Sequence, residues 1–282
     1  MTDRRLTPAN GRVAASRLRG LVEAETFRDG SGASIMRPVA DLWSSPDRAT
    51  RDRQLLRGEG VVVYERRAGM AFVEAEKDGY VGYVDEAALG DPVRPTHAVA
   101  APATHLYPAP DFKRPAVARL SFGARLRVVA TPDARFAEAE DGLFVPRAHL
   151  RPVDRPLCDP AGVARLFLGV PYLWGGNSSD GIDCSGLVQA ALVACGIACP
   201  GDSDLQETAV GSRVVLDAPV LRGDLFFWAG HVAMALDATD LIHANAHHMA
   251  VTVEPVPSTI ARIADQGGGE VTTRRRVSPP RG

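Results

Sequence analysis

The sequence predicts an α+β protein in which two small all-β barrels precede a domain of helices and antiparallel strands. Short strand-like runs separated by Gly and Pro turns fill residues 36–92, and the same pattern returns over 97–153. After residue 158 the apolar residues first follow a helical period and then form short strand-like runs, an order typical of α+β domains. Apolar residues make up 45% of the 282 residues, enough for packed cores in two or three domains.

The composition excludes several classes of protein. The 32 Lys and Arg residues nearly balance the 34 Asp and Glu residues, so neither nucleic acid nor a membrane surface is an expected partner. No apolar run is long enough to cross a membrane, and the N-terminal segment lacks the apolar core of a signal peptide, so we expect a cytoplasmic protein. Cys195 and Cys199 lack a second ligand pair at zinc-site spacing, and we expect neither a metal nor a cofactor.

The two predicted barrels are copies of one unit. Residues 1–35 are Arg-rich and weakly periodic, and we interpret them as an N-terminal arm. In the first barrel, residues 36–92, the run Phe72-Val-Glu-Ala-Glu parallels Phe136-Ala-Glu-Ala-Glu of the second barrel, residues 97–153. Further matches occur at a nearly constant offset, which indicates an internal duplication. Both copies resemble bacterial SH3-like domains. The first copy ends in the typical pattern Gly79-Tyr-Val-Gly-Tyr-Val, and the second is shortened there.

The last domain is predicted over residues 158–277. Asp159-Pro160 supplies an N-cap and a first-turn proline for one helix, and a second helix starts at Cys184 after a glycine-rich loop. Asp202-Ser203 start a third, short helix. The predicted strands are Leu225–Trp228, His231–Leu236, Leu241–Asn245 and Val251–Glu254, followed by a helix over Ser258–Ala264 and a last edge strand over Val271–Arg275. Trp174 and Trp228 are predicted to be core residues.

Cys184 has the placement of a reactive thiol. At the start of a helix it meets unpaired N–H groups and the positive end of the helix dipole, which can lower a Cys pKa from about 8.5 to roughly 3.5–7.5. A thiolate nucleophile also needs an acid–base partner and a group that orients this partner. His231 and His243 lie on consecutive predicted strands joined by a tight turn, so we expect them to be antiparallel neighbours. The pattern of a helix-borne Cys with sheet-borne His residues is that of papain-type enzymes.

Residues 160–275 resemble the NlpC family of papain-like cysteine peptidases, which cut bacterial cell-wall peptides. The matching segments are Pro171-Tyr-Leu-Trp-Gly-Gly, Gly181-Ile-Asp-Cys-Ser-Gly-Leu-Val, Arg222-Gly-Asp-Leu-Phe-Phe-Trp, His231-Val-Ala-Met and Ile242-His-Ala. With two SH3-like repeats in front, the chain is similar to the YkfC-type γ-D-glutamyl-L-diamino-acid endopeptidases. The resemblance therefore implies a papain-like NlpC catalytic domain.

The resemblance also implies roles for single residues. Cys184 is the expected nucleophile, His231 its acid–base partner and His243 the orienting residue. Tyr172 matches a tyrosine whose hydroxyl lies beside the nucleophile, where it would hold the oxyanion together with the Cys184 N–H.

Four residues near the nucleophile are expected to line the substrate pocket by the same resemblance. Asp183 and Ser185 flank the nucleophile, and Asp202 and Ser203 match a pair in the pocket wall. Each aspartate and Ser203 has an alternative interpretation as a helix cap.

The first SH3-like domain is expected to close one end of the cleft. In YkfC-like proteins a Glu and a Tyr of this domain bind the free amine of an N-terminal L-Ala. Glu59 and Tyr80 are the candidates here, with Tyr83 as an alternative to Tyr80, and an exposed Glu without function remains an alternative for Glu59.

The expected reaction is hydrolysis of the bond between γ-D-Glu and a diamino acid, meso-diaminopimelate or L-Lys, in small murein peptides with a free N-terminal L-Ala. Such a cytoplasmic enzyme would act in peptidoglycan recycling. Two other functions stay open from the sequence: a peptide-binding adaptor with a silenced active site, and an amidase or acyltransferase on the same fold.

Overall fold

The computed structural model describes residues 3–277, which divide into two compact units, Met1–Asp154 and Arg155–Gly282. No helix within residues 3–277 is long and apolar enough to cross a membrane.

The first part of the N-terminal unit is a sheet of short strands. Its strands are β1 (Val13–Ala15), β2 (Thr26–Arg28), β3 (Ser31–Ile35), β4 (Val39–Trp43), β5 (Arg51–Leu56), β6 (Gly60–Arg67), β7 (Met70–Ala75), β8 (Val81–Asp85) and β9 (Leu89–Gly90). Strands β3 to β9 form an antiparallel seven-stranded sheet in the order β5-β4-β8-β7-β6-β3-β9. Single 3₁₀ turns cover Arg4–Leu6, Ser16–Leu18 and Glu86–Ala88. Alternate residues of these strands, such as Leu42, Val61 and Val73, point into one buried core.

The structure differs from the predicted arm at residues 1–35. Strand β3 belongs to the sheet of the first SH3-like domain, because it pairs with β6 and β9. Val13 of β1 is buried against Tyr64 and Phe72. Arg12 also forms an ion pair with Glu65, its Nη2 2.7 Å from Oε2. The segment therefore packs as part of this domain. Its Gly- and Ser-containing strand is too short and too polar for its pairing to be visible in the sequence.

The second part of the N-terminal unit consists of β10 (His97–Val99), β11 (Ala103–Leu106), β12 (Ala118–Ser121), β13 (Arg125–Leu126), β14 (Val128–Ala130), β15 (Phe136–Ala139), β16 (Phe144–Pro146) and β17 (Leu150–Pro152), with a 3₁₀ turn at Arg147–His149. Three small sheets, β13-β10-β17, β11-β12 and β14-β15-β16, surround a common core. Leu56 of β5 is a member of this core, so the two halves of the unit share buried surface.

An ion pair between the buried Arg57 and Asp141 also joins the two halves of this unit. The Arg57 guanidinium donates to the Met36 carbonyl at 2.6 Å and to Asp141 Oδ2 at 2.5 Å. The Arg125 N–H donates to the Arg57 carbonyl at 2.7 Å. The backbone is close enough at Gly58, φ 76°, that a Cβ there would lie 2.2 Å from the Arg125 carbonyl oxygen. Glycine is required at this contact.

The C-terminal unit has the predicted order of helices before strands. Its elements are α1 (Pro160–Arg165), β18 (Asn177–Ser178), β19 (Gly181–Ile182), α2 (Cys184–Ala194), α3 (Ser203–Ala209), β20 (Ser212–Val214), β21 (Leu225–Trp228), β22 (His231–Ala235), β23 (Asp240–Asn245), β24 (Ala250–Pro255), α4 (Val256–Asp265) and β25 (Thr273–Arg276). The main sheet is antiparallel with six strands in the order β20-β25-β21-β22-β23-β24. The predicted edge strand near the C-terminus is therefore internal, because the short polar strand β20, which the sequence analysis missed, pairs with it.

The helices of this unit pack on the central strands. The apolar face of α2, with Leu187, Val188 and Leu192, is buried, and α2 contacts β22 and β23. Ile263 of α4 packs with Leu241 in a second cluster, together with neighbouring residues of β21 and β22. This packing places Cys184, the first residue of α2, beside the backbone N–H of Val232 in β22.

Candidate active site

Asp183 fixes the start of the nucleophile helix. Its carboxylate accepts hydrogen bonds from the Gly186 N–H at 2.6 Å, the Ser185 hydroxyl at 3.0 Å and the Gly175 N–H at 2.9 Å. Asp183 has extended backbone angles and is the N-cap of α2, so Cys184 is the first helical residue. Asp183 therefore caps helix α2, as its alternative interpretation predicts, and the same carboxylate orients the Ser185 hydroxyl.

The glycine-rich loop allows a close approach of backbone to this helix. A Cβ on Gly186 would lie 2.4 Å from the Gly176 carbonyl oxygen, and a Cβ on Gly176 would lie 2.5 Å from the Gly181 carbonyl oxygen. The Asp183 N–H donates to the same Gly176 carbonyl at 3.2 Å. Side chains at these positions would push the loop away and displace Cys184.

The Cys184 thiol is 7% exposed and protonated in the resting protein. Burial raises its pKa to about 12, and the Asp183 carboxylate acts in the same direction. The backbone N–H groups of Val232, Ser185 and Cys184 act against this rise. Burial and the capping carboxylate therefore act on the pKa of Cys184 in the direction opposite to the helix terminus. Attack by Cys184 therefore requires a base that accepts its proton.

The two predicted histidines meet on one face of the sheet. Strands β22 and β23 are antiparallel neighbours with Met234 opposite Ile242. Continuing this register makes His231 and His243 diagonal neighbours on the same face. Their rings approach with 2.8 Å between His231 Nε2 and His243 Nδ1. His243 is fully buried, whereas His231 is only partly buried at the start of its strand.

Glu254 and Arg262 extend this chain of contacts, and the sequence analysis assigned neither of them to the site. His243 Nε2 lies 2.7 Å from Glu254 Oε2. Arg262 of α4 binds the same carboxylate through Nε at 3.0 Å and Nη2 at 2.6 Å. Burial raises the pKa of Glu254, but the hydrogen bonds from Arg262 and His243 outweigh it and bring the pKa down to about 2. Only the alternation of β24, which places Glu254 on the same face as Thr252 opposite His243, could have indicated its role.

Both imidazoles are neutral at pH 7. Burial lowers the pKa of His231 to about 3, and repulsion by His243 and Arg262 contributes, while Glu254 acts in the opposite direction. Burial also lowers the pKa of His243, against the effect of Glu254. A neutral His231 can act as a general base toward a protonated thiol.

Tyr172 lies beside the nucleophile. Burial raises the pKa of its hydroxyl, and the charges of Cys184 and Asp183 raise it further, which requires that the three side chains be close. The backbone of Tyr172 is held by a bridge to Ile182 and by a hydrogen bond from its N–H to the Met249 carbonyl at 2.9 Å. The phenol therefore keeps its proton and can donate a hydrogen bond.

Helix α3 starts next to the nucleophile helix. Asp202 is its N-cap residue by position, but its carboxylate makes no capping hydrogen bond, and Ser203 is 8% exposed at the first turn. The fully buried Gln206 donates to the Ser185 carbonyl at 2.9 Å and to the Pro200 carbonyl at 3.0 Å. These bonds hold the two helix starts together.

The two other predicted site residues lie in the N-terminal unit. The Glu59 carboxylate binds the Lys77 ammonium at 2.9 and 3.0 Å and accepts the Leu56 N–H at 3.2 Å. Tyr80 is 2% exposed and belongs to the core of this unit, and Tyr83 is buried next to Phe72.

The two tryptophans have different surroundings. Trp174, in the segment before the glycine-rich loop, is 65% exposed, so its prediction as a core residue is wrong. Trp228 is 2% exposed, and this prediction is confirmed.

Two parts of the chain match known families. Residues 169–263 match the NlpC/P60 family, and residues 42–89 match the bacterial dipeptidyl-peptidase SH3 domain. The first match includes Cys184 and every residue of the contact chain from His231 to Arg262.

Relatives and a solved structure agree with these matches. A γ-D-glutamyl-L-lysine dipeptidyl-peptidase from Bacillus cereus is 26% identical over 295 residues, which cover 83% of this chain and 87% of that protein. Dipeptidyl-peptidase 6 from Lysinibacillus sphaericus is 38% identical over 82 residues, which are 29% of this chain and 30% of that protein. The crystal structure of an NlpC/P60 family protein from Bacillus cereus has the same fold, with a TM-score of 0.74 and 23% identity over 88% of this chain and 100% of that chain. The chain therefore carries an NlpC/P60 domain preceded by a bacterial dipeptidyl-peptidase SH3 domain, and it is a hydrolase of the peptidase class.

Proposed function

We propose that this peptidase hydrolyses the bond between γ-D-Glu and the following diamino acid in murein peptides with a free N-terminal L-Ala. The observation that carries the proposal is a buried thiol at a helix start, beside the backbone of the strand on which the neutral His231 contacts His243. The name of the Bacillus cereus relative supports the γ-D-glutamyl specificity and favours L-Lys as one acceptable diamino acid.

The first half of the reaction forms a thioester. The Cys184 sulfur attacks the γ-carbonyl carbon of D-Glu while His231 accepts the thiol proton, and the carbonyl π electrons move to the oxygen. The backbone N–H of Cys184 and the hydroxyl of Tyr172 stabilise this oxyanion. When the carbon–nitrogen bond breaks, His231 returns the proton to the leaving amine of the diamino acid.

The second half of the reaction hydrolyses the thioester. His231 accepts a proton from a water molecule as this water attacks the thioester carbon. The carbon–sulfur bond breaks, the sulfur regains a proton, and L-Ala-γ-D-Glu leaves. His243 keeps the His231 ring in place through both halves, because their contact is 2.8 Å.

Asp202 and Ser203 are the proposed contacts to the substrate in the catalytic domain, since the Asp183 carboxylate already holds three donors. Ser185 shares this network and contributes by fixing the geometry. Glu59 and Tyr80 are the proposed recognition residues for the free amine of L-Ala. Because Glu59 is bound to Lys77, binding of a substrate ammonium requires an exchange of cations at this carboxylate.

The required free amine also gives the proposed enzyme a place in a reaction sequence. In the intact wall this nitrogen is bound in an amide to the glycan, so an amide-cleaving reaction must come first. We therefore propose that the enzyme acts on released peptides in murein recycling, in the cytoplasm. Fractionation of the producing cell with an antibody to this chain tests the location, and a purely extracellular protein would contradict it.

The decisive experiment is incubation of the purified protein with L-Ala-γ-D-Glu-meso-diaminopimelate and L-Ala-γ-D-Glu-L-Lys. Mass spectrometry should detect L-Ala-γ-D-Glu and the free diamino acid, and the Cys184→Ala variant should produce neither. N-acetylation of the peptide should abolish cleavage. Absence of product from both peptides would overturn the proposed substrate, and cleavage of the acetylated peptide would exclude amine recognition by Glu59 and Tyr80.

The two alternative functions give different results in the same assay. An adaptor with a silenced site would bind the peptide without turnover in both the parent protein and Cys184→Ala. An acyltransferase would transfer the dipeptide to an added amine in preference to water. Product analysis with and without an added amino acid distinguishes these outcomes from hydrolysis.

A further inference from the structure

We propose that Glu254, held by Arg262, is a positioning residue that determines which ring nitrogen of His231 accepts the Cys184 proton. The proposal deepens the proposed function and rests on it for the identity of the reaction. It stands on the unbroken contacts Arg262–Glu254–His243–His231, whose bonding distances are 2.6 to 3.0 Å.

The ionised Glu254 carboxylate can only accept hydrogen bonds. Its contact with His243 Nε2 therefore requires the proton of the neutral His243 ring on Nε2. His243 Nδ1 is then an acceptor, so the His231 Nε2 at 2.8 Å must carry the proton that it donates. The neutral His231 ring has one proton, which leaves the lone pair on Nδ1 as the only base available to Cys184. Glu254 therefore acts on Cys184 through the rings of His243 and His231. Among residues 3–277, His243 has no carboxylate contact other than Glu254.

Glu254 and Arg262 also have opposite electrostatic effects on the charged intermediate. When His231 accepts the thiol proton it becomes an imidazolium, which the negative Glu254 stabilises and the positive Arg262 destabilises. Among residues 3–277, the further titratable group that faces this cluster is His248, whose Nδ1 lies 3.7 Å from Glu254 Oε2. His248 is partly exposed and also contacts Asn245, so it is a neighbour that the experiment must control.

The test compares Glu254→Gln with Arg262→Gln. In Glu254→Gln the amide can donate as well as accept, so the His243 tautomer is no longer fixed, and kcat should fall about 10- to 100-fold, part of the contribution of general acid–base catalysis. The acidic limb of the pH profile of kcat/KM should move to lower pH by about 0.5–1 unit, because the imidazolium loses a nearby negative charge. Arg262→Gln should move the same limb to higher pH. Arg262→Lys keeps the charge and should restore the parent limb.

A second readout does not depend on the substrate. The rate of alkylation of Cys184 by iodoacetamide is measured against pH, with mass spectrometry of the Cys184 peptide, so that other cysteines do not contribute. The acidic limb of this alkylation profile should again move to lower pH in Glu254→Gln and to higher pH in Arg262→Gln. If the murein peptides are not cleaved and the alkylation limbs still move in opposite directions, the proposed function fails and the positioning role of Glu254 stands.

Several outcomes would overturn the proposal. A merely structural role predicts that both variants lose activity and thermal stability while their limbs stay in place or move together. If His248→Asn moves the acidic limb of the pH profile as far as Glu254→Gln does, the pH dependence belongs to His248. If Glu254→Gln does not fold, the comparison of Arg262→Gln with Arg262→Lys still decides, since only the neutral variant should displace the limb.

Discussion

At the scale of single residues, the site depends on burial more than on the helix terminus. A cysteine at a helix start is usually expected to ionise easily, but Cys184 is buried next to the capping Asp183 and keeps its proton. His231 is neutral for the same reason. The pair therefore begins as thiol and imidazole, and the surrounding N–H groups and Glu254 stabilise the charges that appear during attack.

Tyr172→Phe tests the oxyanion contact. This variant keeps the ring and removes only the hydroxyl that lies near Cys184. Loss of one oxyanion donor should lower kcat about 10²- to 10³-fold with little change in KM. Steady-state kinetics with L-Ala-γ-D-Glu-L-Lys measure the effect, with Tyr107→Phe, in the N-terminal unit, as the matched control. An unchanged kcat would show that Tyr172 only packs.

His231→Asn tests how burial of a neutral histidine affects stability. The pKa of His231 is lowered to about 3, so the unfolded chain binds a proton below pH 6.5 that the folded chain does not bind. The free energy of unfolding should therefore fall as the pH decreases from 6.5 toward 3. The variant lacks this group, and its slope should be shallower by up to about 1.4 kcal/mol per pH unit. Urea titrations at several pH values measure both slopes, and equal slopes would contradict the expectation.

At the scale of elements, the loop, the helix and the strands each fix one part of the site. The glycine-rich loop packs against the start of α2, and three adjacent strands each contribute one polar residue to the same face. Sequence periodicity predicted these strands and helices closely, since their apolar patterns are strong. It did not predict β20, whose three residues are mostly exposed.

Gly186→Ala tests the contact between loop and helix. The new methyl group would lie 2.4 Å from the Gly176 carbonyl oxygen, a backbone atom that cannot rotate away. Overpacking of this kind should cost about 1–3 kcal/mol, which exceeds the gain in helix propensity. Activity should fall as well, because Cys184 follows the displaced Asp183. Chemical unfolding and the peptide assay measure both effects.

Gly32→Ala is the matched control for this substitution. Its Cβ would have ordinary contacts with Pro92 at 3.7 Å or more, so stability and activity should stay near those of the parent. Equal effects of the two substitutions would show that the close approach at Gly186 is unimportant.

At the scale of the whole molecule, the two halves of the N-terminal unit share a core and an ion pair whose guanidinium is buried. Internal duplication was visible in the sequence, but the shared core was not, because Leu56 reads as an ordinary strand residue of the first copy. Strand β3 could not be predicted for a similar reason, because it forms by pairing with β6, which is distant in sequence.

Asp141→Ala tests this junction. The substitution removes the anionic partner of the buried Arg57 guanidinium and leaves its hydrogen bond to the Met36 carbonyl, so the N-terminal unit should lose about 1–3 kcal/mol of stability. Arg66→Ala removes an exposed pair with Glu86 and should cost less than about 1 kcal/mol. Denaturant unfolding of the full chain compares the two. Similar losses of unfolding free energy in Asp141→Ala and Arg66→Ala would show that burial of the Arg57 guanidinium has no energetic consequence.

The sequence by itself determined the fold class, the order of the main elements and the places of Cys184, His231 and His243 at a helix start and on two adjacent strands. These features follow from local patterns: apolar periodicity, caps, turns and ordered motifs. Only the tertiary structure decided the protonation of Cys184, the exposure of Trp174 and the contact of Glu254 and Arg262 with the histidines. Burial and strand register depend on which segments pack together, and pairing between distant segments is not encoded in any short stretch of the chain.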